Sequence, residues 1–198
     1  MRILVIGAHG IIGSAIVTAL ASDHEVIGAS RSGADVQVDI RNPESIRSMY
    51  ESVGTVDAVI CAAGSGAWKP LDALTEEDFD QSLHYKLMGQ VNVIRYGFAN
   101  VSDNGSITTT SGILGRAPMQ NSAAISLVNS GLEGFTRAAA LEAPRGIRVN
   151  VVSPPWVTET LIAMGATDLS HGLPAATVAK AYVRSVTGSE SGVVIEPS

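Results

Sequence analysis

Ile3-Leu4-Val5-Ile6-Gly7-Ala8-His9-Gly10-Ile11-Ile12-Gly13, directly after Met1-Arg2, is the stretch whose reading decides the fold. Four successive aliphatic residues suit a strand buried on both faces, the kind found inside a parallel sheet. The glycines permit a tight turn and let backbone N–H groups approach a pyrophosphate. A helix-like segment follows at once and points its positive end at the same anion. The spacing is Gly7-x-x-Gly10-x-x-Gly13 rather than G-x-G-x-x-G, and a glycine turn without a ligand is the competing reading of these residues taken alone.

Strand-like and helix-like segments alternate through the rest of the chain, the signature of βαβ units and a parallel sheet. Strands are expected over Glu25–Ala29, Val36–Ile40, Val56–Cys61, Ile107–Thr110, Ile147–Val152 and Val193–Ile195. Asn42 before Pro43 reads as a helix N-cap with proline in the first turn, and Thr75 with Asp78 as another helix start. Leu83, Leu87, Val91 and Ile94 form an apolar stripe that predicts one helix from Phe79 to Phe98. A long helix over Ala123–Ala143, stopped by Pro144, and a last one over Ala175–Val186 complete the set. The expected fold is α/β, a three-layer α/β/α doubly wound parallel sheet forming a single domain over residues 1–198.

Composition narrows the function. Hydrophobic residues make up 45% and charged residues 16% of 198, which marks an ordered globular chain. A net charge of -6 and a pI near 5.1 leave no basic face for a nucleic acid. Cys61 is the only cysteine, so neither an intrachain disulfide nor a multi-cysteine metal site can form. No apolar run reaches membrane-spanning length and no signal peptide is evident, so neither a membrane nor secretion is expected, and the cytoplasm is.

In a Rossmann-like sheet an acidic residue at the end of the second strand binds the ribose of NAD. This chain has Ser30-Arg31-Ser32 there, a guanidinium between two hydroxyls, which suits the 2′-phosphate of NADP(H). The alternative is an ordinary polar turn.

With these landmarks in order, the chain resembles the short-chain dehydrogenase/reductase family over almost its whole length. Gly7, Gly10 and Gly13 match the family's nucleotide loop, in which His9, Ile11 and Ile12 would also meet the cofactor. Asp39-Ile40 matches the pair that touches adenine, and Cys61-Ala62-Ala63-Gly64 resembles the Asn-Asn-Ala-Gly turn with its first two residues changed. Gly146 through Pro154 is similar to the family's sixth strand and the turn beside the nicotinamide. Pro155 replaces the usual glycine, and Trp156-Val157-Thr158 continues over the carboxamide site. Glu159 falls where the family has threonine, so Thr158 or Thr160 would take that contact.

The resemblance departs at the catalytic residues. Ser111 matches the family's serine, but no tyrosine or lysine occurs between Ser111 and Ala143. Counting on from Ser111 puts Ala124 at the tyrosine position. Alignment back from Leu132-Glu133-Gly134 puts Ile125 there, and Asn129 at the lysine position. Lys86-Leu87-Met88-Gly89 matches the family's Asn-Leu-x-Gly, so lysine and asparagine look exchanged. Lys86, with Asn129 as hydrogen-bond partner, would then bring an ammonium beside Ser111, where both could stabilise the charge on a reacting carbonyl oxygen. Burial would lower the lysine pKa and make it a better proton donor. The competing reading of Lys86 is a solvated helix residue.

The resemblance implies an NADP(H)-dependent oxidoreductase acting on a small-molecule carbonyl or alcohol, or else a catalytically silent NADP(H)-binding regulatory or interaction protein. It also implies a homodimer or homotetramer, built on the helices that include Ala123, Ala124, Gly131, Gly134 and Ala138. No metal site is expected, because His9 has no cluster of partner ligands. Trp68 and Trp156 are candidates to wall a substrate pocket.

Overall fold

The computed structural model describes residues 1–198. Seven strands, β1 (Arg2–Ile6), β2 (Glu25–Ser30), β3 (Val36–Gln37), β4 (Val56–Cys61), β5 (Val101–Thr110), β6 (Arg148–Val152) and β7 (Val194–Ile195), form one sheet. Its order is β3-β2-β1-β4-β5-β6-β7, and every adjacent pair is parallel. The order reverses between β1 and β4, which opens a crevice at their carboxyl ends, where ligands bind in such sheets.

Alternation along the central strands builds two cores. Leu4, Ile6, Val59, Cys61, Ile107 and Val149 face α2 (Pro43–Val53), α4 (Gly89–Gly97) and α5 (Ala123–Glu142). Ile3, Val5, Ala58, Ile60 and Val152 face α1 (Ile11–Leu20) and α7 (Ala175–Thr187). Both faces of β1 and β4 are thereby dry, which is why they read as continuous aliphatic runs. The three-layer doubly wound architecture expected from the sequence is the one observed. No helix is long and apolar enough to cross a membrane.

Helix starts follow local chemistry. The Asn42 side chain accepts from Glu44 N at 2.9 Å, with Pro43 in the first turn. Thr75 and Asp78 form a reciprocal capping box at the start of α3 (Glu76–Gln81).

Three expectations need correction. The third strand stops at Gln37 rather than running to Ile40, because the Asp39 N–H is taken by the Ser45 hydroxyl at 3.0 Å and the chain turns into α2. The fifth strand starts at Val101, well before Ile107, with a register shift between the β4 residues Val56 and Ala58. The helix expected over Phe79–Phe98 is interrupted. Between α3 and α4 the residues Ser82–Met88 form a π-helical turn, a feature found mostly as single turns and often at functional sites.

Candidate active site

At the carboxyl ends of β1 and β2 the glycine turn is held by the sheet. Gly7 N donates to Ala29 O at 2.8 Å, and Ala62 N donates to Ile6 O at 2.8 Å. Gly7 sits at φ 85°, and a Cβ on Gly13 would stand 1.9 Å from Gly7 O, so α1 approaches the turn as closely as only glycine allows. Gly10 caps α1 without a side-chain hydrogen bond, and no acidic residue occupies the first turn. The N-terminal N–H groups of α1 are therefore placed to receive an anion.

A groove of about 320 Å³ extends from this turn. Gly7, His9 and Gly10 form one wall, Ser30, Arg31 and Ser32 the far corner, and Ile40 with Ala62, Ala63 and Gly64 the floor. Tyr85 closes the groove, with the guanidinium carbons of Arg31 and Arg41 5.8 Å and 5.7 Å from its ring centroid. Asp39, expected to touch the adenine with Ile40, does not line the groove. Its carboxylate accepts from Arg41 Nε at 2.9 Å and Nη2 at 2.6 Å, and this pairing holds it below the usual carboxylate range.

The same Ala62-Ala63-Gly64 segment also walls a second cavity, of about 190 Å³. Lys86, Ser111 and Asn129 enter it beside Ile12, and Pro154, Pro155, Trp156 and Val157 cover it. Lys86 is 7% exposed and its Nζ donates to the backbone carbonyl of Ser111 at 3.1 Å. Burial pulls its pKa down to about 8, partly offset by the nearby Cys61. The π turn brings Lys86 here while Gln90, fully buried, accepts from Thr110 N at 2.8 Å and donates to Thr110 O at 2.9 Å. Gln90 thus continues the hydrogen bonding at the carboxyl end of the interior strand β5 with a side-chain amide, and fixes the strand end that leads to Ser111.

The structure rearranges the expected contacts. Asn129 is not the partner of Lys86: its Nδ2 donates to Gly112 O at 3.3 Å, and its buried Oδ1 has no partner. Ser111 is not alone. Its hydroxyl donates to Glu133 Oε1 at 2.8 Å, a buried carboxylate on α5 that the sequence reading used only as an alignment marker. Thr160, not Thr158, lines the cavity; Thr158 begins α6 (Thr158–Ala163) and packs by Gly172. Glu159 caps α7, accepting from Ala175 N at 2.9 Å.

Ile11 is 38% exposed and lines neither the groove nor the cavity, whereas Ile12 lines the cavity. Cys61 is fully buried beneath the floor, and burial pushes its thiol up to about 12. Trp156 lines the cavity with Trp68 edge-on behind it, ring centroids 5.6 Å apart. Tyr85 lines the groove without having been among the expected cofactor contacts. Its approach to Arg31 and Arg41 leaves no signal in the sequence, because the three residues come from separate segments brought together by the fold.

A dinucleotide fits these residues. An uncapped helix N-terminus can receive a phosphate, Arg31 lines the groove away from the second cavity, and the orphaned Asn129 Oδ1 is an acceptor that a bound hydroxyl group would satisfy.

Residues 11–195 match the family described as enoyl-(acyl carrier protein) reductase. The chain is 32% identical over 185 residues to the short-chain dehydrogenase/reductase ATR9 of Stachybotrys chlorohalonatus, covering 84% of this chain and 72% of that one. Across four curated oxidoreductases it spans 48% to 72% of the relative's length. Among solved structures, the protein lin1944 of Listeria innocua matches with a TM-score of 0.95 at 41% identity, over 99% of this chain and 98% of that one. A small-chain dehydrogenase in complex with NADPH matches at 0.88 and 27% identity, over 99% and 95%. Sequence match, strand order and the glycine turn under the switch point agree: the chain belongs to the short-chain dehydrogenase/reductase family.

Proposed function

We propose that this chain binds NADP(H) and interconverts a small carbonyl compound and its alcohol. When bound, the nicotinamide supplies or accepts hydride; the chain's own residues bind, orient and manage charge. The glycine turn and the N-terminus of α1 hold the pyrophosphate, and Arg31 with Ser30 and Ser32 takes the 2′-phosphate. Pro154 through Val157 and Thr160 close over the nicotinamide end and exclude water. The NADPH complex of the 27% identical relative supports this choice of cofactor.

One observation carries the catalytic reading: a buried ammonium, Lys86, stands in the wall of the cavity beside Ser111. One Nζ proton goes to the Ser111 carbonyl, leaving two for an oxygen on which charge develops. In a dry site such a donor is worth far more than in water. The test is NADPH oxidation across a panel of aldehydes and ketones, by the native protein and by Lys86→Met. Turnover that survives in Lys86→Met removes Lys86 from the mechanism.

A second reading, an NADP(H)-binding regulatory or interaction protein without turnover, draws on Ile125 and Asn129, which line the cavity at the positions where the resemblance expects tyrosine and lysine. Saturable NADPH binding with a silent panel favours it. We also infer a homodimer or homotetramer on the family resemblance; α5 presents Leu127, 50% exposed, and Leu141, 89% exposed, to a partner.

A further inference from the structure

Ser111 does not direct its hydroxyl proton into the cavity. The proton lies toward Glu133 Oε1, 2.8 Å away, and Glu133 is only 4% exposed. A buried carboxylate is stable only when paired or hydrogen-bonded. Here the second support is Arg116, whose Nε lies 3.7 Å from Oε2 and which is held in turn by Glu196 and by Ser153 Oγ at 3.0 Å. Lys86 meets the same serine from the π turn, through the backbone carbonyl. These are the charged groups that face the Ser111–Glu133 pair: Arg116 after β5, its partner Glu196 near the C-terminus, and Lys86.

A hydroxyl whose proton is given to an anion offers lone pairs, not a proton, to any third partner. An apolar side chain of similar size could fill the space behind Ser111 without burying a charge. Glu133 does not line the cavity, so it acts only through Ser111.

We propose that Glu133 is a positioning residue that makes Ser111 the proton acceptor for a substrate hydroxyl. The proposal rests on the oxidoreductase reading above. In the oxidation direction the substrate O–H proton passes to Ser111 Oγ as the serine's own proton passes to Glu133 Oε1. The C–H bond breaks, its hydrogen leaves with the electron pair to the oxidised nicotinamide, and the C=O double bond forms. Glu133 ends protonated, the substrate is oxidised, the cofactor is reduced, and reduction runs the same transfers backwards. Lys86 keeps its proton throughout and stabilises the oxygen's charge.

Glu133→Gln keeps the volume and tests the arrangement. Its amide N–H cannot face Arg116, so the amide oxygen turns to Arg116 and the N–H to Ser111, which reverses the hydrogen bond. Neutron diffraction from the deuterated protein without cofactor reads this directly. The expected map shows the Ser111 deuteron toward Glu133 in the native protein and toward the cavity in Glu133→Gln. A native deuteron pointing into the cavity overturns the proposal. With NADP+ and a panel of secondary alcohols, Glu133→Gln should lower kcat about a hundredfold and leave the KM values for NADP+ and for the alcohol unchanged. A purely structural role would move stability and KM along with kcat; an unchanged kcat in Glu133→Gln overturns the relay. If the native protein turns over nothing, the oxidoreductase reading falls, while the neutron map still decides where the serine proton lies.

Discussion

A lysine ammonium sealed from water loses most of its hydration, and at Lys86 a single backbone carbonyl and the neighbouring Cys61 only partly restore it. With its pKa near 8, the group is cationic at neutral pH and becomes an amine above that point. Turnover should therefore be full below pH 7 and fall through about pH 8, in both directions, as the charge that stabilises the reacting oxygen disappears. Lys86→Met should lower kcat about 100- to 1,000-fold, the usual loss for one preorganised donor, and flatten this alkaline limb. At the other end of the groove, Arg31→Ala should weaken NADPH about ten- to a hundredfold and leave NADH unchanged, read by fluorescence titration. The guanidinium has no carboxylate partner of its own, whereas Arg41 is committed to Asp39, so Arg31 is the one free to meet a 2′-phosphate.

At the scale of elements, the π turn decides the site. Lys86 and Gln90 lie four residues apart on one helix face, and a regular helix through Ser82–Met88 would rotate that face as a unit relative to α3, away from the carboxyl end of β5 that both side chains reach. The apolar stripe at Leu83, Leu87, Val91 and Ile94 reads as one helix because its spacing tolerates a single wider turn. Nothing in that spacing marks the irregularity. Gln90→Leu should cost about 2–4 kcal/mol in chemical denaturation, since it strands the N–H and the carbonyl of Thr110 in the core. Gly13→Ala should cost on the order of 3 kcal/mol by the same measurement, and abolish NADPH binding. Its new Cβ meets backbone, not a movable side chain, and forces α1 away from the turn.

For the whole molecule, groove and cavity share one floor, Ala62-Ala63-Gly64, and draw on both halves of the sheet. Arg31 comes from the β2 side, Lys86 and Ser111 from the β5 side, and the α7 residue Tyr182 ties its hydroxyl to Thr110 at 2.8 Å beneath them. A ligand spanning the two spaces links the halves across the switch point. NADPH at a hundred times its Kd should add about 2.7 kcal/mol of stability, raising the thermal midpoint by about 5–10 °C for a chain of this size. A single cooperative transition in the free protein, read by calorimetry, would agree with the two cores on either side of one continuous sheet.

Local chemistry carried the architecture. Aliphatic runs, a glycine turn, a capped proline start and a capping box each specify their elements through contacts a few residues apart, so the strand succession and the nucleotide end were legible in the chain. The second cavity was legible only in part. Ser111, Lys86 and Asn129 line it together, but their partners were not foreseen, because a side-chain hydrogen bond depends on direction and depth that no spacing encodes. Packing alone turned Ser111 toward Glu133, gave Lys86 a carbonyl instead of an amide, and left Asn129 Oδ1 unpaired. The end of β3, the early start of β5 and the π turn likewise left no mark in the hydrophobic spacing.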